Sequence, residues 1–515
     1  MLTEPIQELV ATLSQLERGS VAGRASIIET NRIITAAATF YEKVRYLVDY
    51  HEEHTIRRNA IERMLKRRLF IQGGNLDAEK LLRELVESQY LLAEEAHEET
   101  SQRIGKIIKR FLELSRIAEA RNDDQQTLAS LMASEIESYL SRGQHLIDTS
   151  VVSAFYSTMR PHIVNHGFAD QNVDVQTYCA CRRALVGSDD EMLWYDLWLM
   201  FVPQWKDETV PVEAIAQHLR SLLATIHTHV HDPMQWRIVQ RMKNENIFFR
   251  IVREMIMREK TGAISTLENM AAMDAFVRTF MERISARENE RIQKSGLRAV
   301  AYLLLTKMVV ALLLEIPYQS IVLGSINYFT VGVNALFHPT LLFVFTRKIG
   351  SLDEANTNRI LEGIHTVLYG TGHPRSIVIS SVRSRLRGVF AFLYLLLILG
   401  VFGAILTLLQ MFSFDVVSTL LFLLFLALVS YFAFRIRYNG SRWRTTGPET
   451  MLSIFVNVIA VPIVYAGRWL SRTFSSINIF VIVLDFILET PFRHILDFSH
   501  HFIGYLKEKA EEVYS

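Results

Sequence analysis

Gly388 to Phe412 reads GVFAFLYLLLILGVFGAILTLLQMF, and none of its side chains is charged. A helix rises about 1.5 Å per residue, so roughly 20 apolar residues cross the hydrocarbon core of a bilayer. This run is long enough. Ser413 to Asp415 interrupt it, and Val416 to Phe434 (VVSTLLFLLFLALVSYFAF) forms a second uncharged run. Two such runs joined by a short turn read as a transmembrane hairpin, because a helix satisfies its own backbone hydrogen bonds in lipid.

Upstream, Ala299 to Ile316 is apolar apart from Lys307 and Glu315, Pro317 ends it, and Ile321 to Phe345 reads as the return span. Arg347 and Lys348 close this first hairpin, Arg383, Arg385 and Arg387 precede the second, and Arg435, Arg437, Arg442 and Arg444 follow it. With four crossings, all three basic loops lie on the side of the N-terminal residues, as the positive-inside rule expects for cytoplasm. Met1 to Arg18 lack the basic start, apolar run and small-residue cleavage site of a signal peptide, which fits a cytoplasmic N-terminus.

The chain of 515 residues is 50% hydrophobic, with nearly all the apolar excess after Leu297. Its formal net charge of +1 gives no global electrostatic case for nucleic acid. The two cysteines, Cys179 and Cys181, lie two apart in helical text and cannot bridge without strain, so a disulfide framework is excluded. Before Leu297 the sequence shows helical periodicity and no alternating strand pattern. Ile27, Ile34, Tyr41 and Val48 recur at sevens, beside a second column through Ile33, Phe40, Leu47 and Ile61, which describes a bundle helix. Gln72 to Asn75 breaks that helix, and Asp77 starts another that the pattern carries to about Ala120.

The predicted fold is therefore all-α. Residues 1–120 form a long-helix antiparallel hairpin and 121–295 a cytoplasmic helical domain. Residues 296–346 and 388–436 are transmembrane hairpins, separated by a cytoplasmic helical connector at 347–387. Residues 437–515 form an amphipathic or re-entrant membrane-associated region, with Met451 to Ala466 too short and too closely followed by Arg468 and Arg472 for a simple crossing.

Three stripes carry the candidate chemistry. Arg283, Arg287, Arg291, Lys294 and Arg298 fall on one helix face that runs into the first apolar segment, a position suited to anionic lipid headgroups as well as to plain solvation. In the second span, Asn327, Thr330, Asn334 and His338 share a face, where polar groups either bond to neighbouring helices or line a wet cavity. Lys307 and Glu315 lie about 12 Å apart along a helix axis, too far to pair, so each needs a partner elsewhere, or Glu315 sits at the outer interface. In the tail, Asp485, Glu489, Arg493, Asp497 and His501 stand at steps of four on an apolar helix. Their spacing suits ion pairs along an interfacial helix, and a polar relay is the alternative. A faint echo links Leu314 to Tyr318 with Leu488 to Phe492.

Other motifs point less clearly to chemistry. His227, His229, His231 and Asp232 are crowded, but residues two apart on a helix diverge and a metal needs three or four convergent ligands. Glu94 and His97 form a single carboxylate and histidine pair without the second that a di-iron bundle requires. Arg57, Arg58, Arg63, Lys66, Arg67 and Arg68 form a basic cluster, read as a solvated or internally paired face. No phosphate loop or nucleophile motif is present, so neither an enzyme nor a cofactor is expected. The functional expectation is an oligomeric channel or transporter regulated by its helical cytoplasmic domain. The alternative is a membrane-anchored scaffold that binds protein partners. Gly400 and Ala404 are spaced for close helix contact within a homo-oligomer.

Overall fold

Asp77 caps a helix: its carboxylate accepts from the amide of Glu79 at 3.0 Å. The helix that follows, Ala78–Glu87, is far shorter than the periodicity implies. Gln89 adopts a left-handed conformation with φ 60°. The chain then passes through a 3-10 turn, Ala93–Glu95, and restarts as Glu98–Ile117. The expected single helix is thus two, because the apolar face changes direction to keep Leu81, Leu82 and Leu85 in the same core as Ile104, Ile108 and Phe111. The computed structural model describes residues 2–18, 53–70, 76–206, 210–347, 354–372, 374–380, 387–440, 442–445 and 451–476. Most of the predicted helix from Arg24 to Ile71 and the whole Asp485 stripe lie outside them.

The chain forms two compact units, Met1–Val277 with Asn358–Val382, and Arg278–Thr357 with Arg383–Ser515. The first is an assembly of helices around a core in which Phe111, Trp198 and Trp205 meet, with Phe111 and Trp205 ring centroids 5.1 Å apart and Trp198 and Trp205 5.2 Å apart. The helices here are interrupted at short intervals. Met159 ends the helix before Pro161, Gly187 with φ 71° separates Asp170–Val186 from Asp190–Phe201, and Gln217 and His218 interrupt the next. Two four-residue strands, β1 (Ile163–His166) and β2 (Ile377–Ser380), pair in parallel and tie the segment after the Glu354–Tyr369 helix into this unit. They are too short to alter the all-α class.

Among the described residues of the second unit, four helices are long and apolar enough to cross a membrane: Leu303–Leu323, Tyr328–Phe345, Gly388–Met411 and Val416–Ile436. The first continues the long helix Met270–Val310. Pro317 has no amide hydrogen to donate, and the helix widens to π geometry on both sides of it, at Ala311–Glu315 and Gln319–Leu323. Gly324 at φ 68° then turns the chain into the second span. The fourth span packs against the second and against the final described helix, Met451–Ser476. That helix is continuous through Pro462 and longer than the short re-entrant element expected. Gly467 permits its close approach to the backbone of Ala427. The third span is the most exposed, with none of its most apolar stretch buried within the chain.

Candidate functional site

The polar side chains of the second unit converge between the first, second and fourth spans. The π turns around Pro317 bring Glu315 and Gln319 to the same side as Lys307, toward the face of the second span that carries Thr330, Asn334 and His338. Each of these six residues is no more than 2% exposed. Asn334 is the hub. Its amide oxygen accepts from Lys307 Nζ at 2.7 Å, and its amide nitrogen donates to Glu315 Oε1 and Oε2 at 3.1 and 3.2 Å and to the carbonyl of Ser418 at 3.3 Å. One neutral amide therefore satisfies an ammonium and a carboxylate together. Lys307 also rests over the Phe425 ring, 3.9 Å from its centroid.

From Glu315 the hydrogen bonds continue toward the end of the bundle that carries the two turns. Ser418 Oγ donates to Glu315 Oε1 at 2.5 Å, and the Ser418 hydroxyl lies 2.7 Å from Asp415 Oδ2. Gln319 Nε2 donates to Asp415 Oδ2 at 2.7 Å and reaches Ser418 Oγ at 3.2 Å. Asp415 is partly exposed, so the network opens at one end and is closed at Lys307. Asp415 also caps the fourth span by accepting from the amides of Val417 and Ser418 at 2.9 and 3.0 Å. At the other end, His338 sets its two ring nitrogens against the carbonyls of Asn334 and Phe422, at 3.3 and 3.0 Å.

The predicted stripe divides into two roles. Asn334 and His338 are in the buried network, whereas Asn327 starts the second span, accepting from the amides of Phe329 and Thr330 at 3.1 and 3.3 Å. Thr330 lies beside Gln319 at 3.4 Å. Glu315 is buried, and the partner that it shares with Lys307 is Asn334. Gln319, Ser418 and Asp415 were missed by sequence reasoning. The signal for Asp415 and Ser418 is their spacing at a helix start, a capping pattern; Gln319 carries no such signal.

Among the described residues, the histidine, cysteine and Glu94 candidates do not assemble into sites. Arg283 and Arg287 are exposed on the Met270–Val310 helix; the side chains of Arg291, Lys294 and Arg298 lie outside the described residues. Asp485, Glu489, Arg493, Asp497 and His501 also lie outside them. The His227 and His231 rings stack with centroids 4.2 Å apart while His229 meets Gln176 at 3.0 Å, so the three imidazoles do not converge. Among the described residues no group of three His, Cys, Asp or Glu is placed to hold a metal. His97 precedes the Glu98–Ile117 helix and Glu94 belongs to the preceding 3-10 turn, so they do not share a helix face. Both cysteines are buried free thiols, and burial, reinforced by Asp196, pushes Cys179 up to about 12, which leaves it unreactive.

The basic cluster is internally paired: Arg57 with Glu137 at 2.7 Å, Arg58 with Asp189 at 2.9 Å, Lys66 with Glu62 at 2.5 Å, and Arg68 with Glu84 at 2.8 Å. Deeper in the same unit, Arg182 and Asp196 form a buried pair at 2.7 Å. No protein-family model, curated protein or solved structure matches this chain.

Proposed function

We propose that this chain is a multi-pass membrane transporter or channel in which a proton reaches Glu315 from Asp415 through the Ser418 hydroxyl, and the charge states of Glu315 and of Lys307, held beside it by Asn334 in one hydrogen-bonded chain, drive or gate transport. The observation that supports this is the continuity of that chain from a partly exposed carboxylate to a buried ammonium. Charged groups within apolar spans are expensive, and a buried ion pair at best breaks even against apolar side chains of similar size. Stability alone therefore gives little reason for a lysine and a glutamate here. Two carboxylates joined by a hydroxyl give a proton a way from the partly exposed Asp415 to the buried Glu315.

In this reading the N-terminal unit is cytoplasmic and regulatory, and the exposed Arg283 and Arg287 face anionic headgroups. Copies of the chain associate through the third span, where a methyl group added at Gly400 or Gly403 would meet nothing within 4 Å from the rest of the chain. The stripe faces the interior of one chain's bundle, so the path belongs to each protomer and not to a pore on a symmetry axis. The test is reconstitution in liposomes loaded with a pH-sensitive dye. Wild type should dissipate an imposed proton gradient, and Glu315→Gln or Lys307→Met should reduce that flux at least tenfold. No flux from intact, correctly inserted wild type under either a pH gradient or a voltage would overturn the proposal.

A scaffold reading draws on the same contacts, because the network also fastens three spans together. Under it, the same substitutions would change only stability or assembly.

A further inference from the structure

Two clefts in the first unit meet at Ser138 and His145. The first, of about 570 Å³, is lined by Arg57, Arg182 and Arg253. Each of these already holds a carboxylate: Glu137, Asp196 and Asp148, with Arg253 Nη2 3.1 Å from Asp148 Oδ2. Arg182 spends Nε and Nη2 on Asp196 and leaves Nη1 without a hydrogen-bond partner, although the residue is only 1% exposed. The second cleft, of about 600 Å³, is lined by Arg103, Lys106, Arg142 and Lys206 against two carboxylates, Glu99 and Glu135. Glu135 accepts from Trp205 Nε1 at 2.7 Å. The second cleft therefore carries an excess of positive charge, and Lys106, Arg142 and Lys206 are exposed.

We propose that the joined clefts bind a soluble, multiply charged phosphate compound, with its phosphates against Lys106, Arg142 and Lys206 and its body extending toward Arg182. Four features favour this class. The cations come from separate elements and converge on a concave surface of ligand size, since small-molecule sites usually enclose about 300–1,000 Å³. A spare buried guanidinium hydrogen is an unused donor, and a buried donor without a partner costs about 1–3 kcal/mol. His145 stands at the junction, and its ring makes no hydrogen bond among the described residues. Tyr90 lines the first cleft, where the organic body would lie, and Tyr139 and Tyr195 line the second. Such a ligand would give the unit a regulatory input separate from the polar network of the membrane helices.

The test uses full-length protein in nanodiscs of neutral lipid at 0.15 M salt, titrated with pyrophosphate and separately with ATP while thermal unfolding and heat of binding are followed. Saturable binding of at least one probe is expected, weakened at least tenfold by Lys106→Gln with Arg142→Gln. Lys80→Gln, an exposed cation outside both clefts, should leave it unchanged. Absence of saturable binding, or equal weakening by the Lys80 variant, would overturn the proposal. So would binding confined to phosphatidylserine vesicles, which would assign the cations to a membrane surface. If the double variant fails to fold, Lys206→Gln alone serves, with at least a threefold loss of affinity expected.

Discussion

Replacing Asn334 by leucine tests the hub of the membrane network directly. The substitution keeps the branched shape and the number of heavy atoms but removes the acceptor 2.7 Å from Lys307 Nζ and the donor at 3.1 and 3.2 Å from the Glu315 carboxylate. Lys307 is left with the Phe425 ring, and Glu315 with the Ser418 hydroxyl. Stranding a buried polar partner costs about 1–3 kcal/mol, more when it is charged. Hydrogen bonds between membrane helices measure lower, about 0.6 kcal/mol on average. With two charged groups affected, the expected destabilisation is about 3 kcal/mol. Reversible unfolding in mixed micelles, followed by far-ultraviolet circular dichroism, reads this change.

The companion is the triple variant Lys307→Met, Glu315→Met and Asn334→Leu, which removes the charges together with their bridge. Because an apolar core of similar volume replaces a buried ionic one at little cost, its stability should return to within about 1 kcal/mol of wild type. Proton flux should stay abolished. An Asn334→Leu change below about 0.5 kcal/mol would mean that the ammonium and carboxylate find other partners, and the argument for a single hub would fail. A triple variant that transported normally would remove the network from the mechanism.

Three further outcomes are expected. Burial, with Arg182 and Lys206 nearby, lowers His145 from 6.5 to about 3, so between those values the folded state binds fewer protons than the unfolded one. Its contribution is complete above pH 6.5 and declines as pH falls, by up to about 2 kcal/mol at pH 5, and His145→Asn should flatten that part of the stability profile relative to wild type. Asp196→Asn strands the Arg182 guanidinium and should cost about 3–5 kcal/mol, read as a lowered melting temperature of the first unit. Gly467→Ala places a methyl group against the Ala427 carbonyl, so the last two described helices must part, at about 1–3 kcal/mol; Gly332→Ala, which meets nothing within 4 Å, should leave melting in detergent unchanged.

The sequence by itself determined the all-α class and the four apolar helices, because the length of an uncharged run and the need to satisfy backbone hydrogen bonds in lipid are local properties. It also placed Asn334 and His338 on one face, since helical spacing alone decides that. Helix ends were less legible. The breaks at Gln89 and Gly187 follow from directing apolar faces into a shared core, which depends on neighbours distant in the chain. Only the tertiary structure gave Lys307 and Glu315 a common partner. They cannot meet along one helix, and the amide that bridges them comes from the next span, with the hydroxyl of Ser418 arriving from the fourth. A hydrogen bond across helices has no sequence period, so its partners become visible only when packing brings them within about 3 Å.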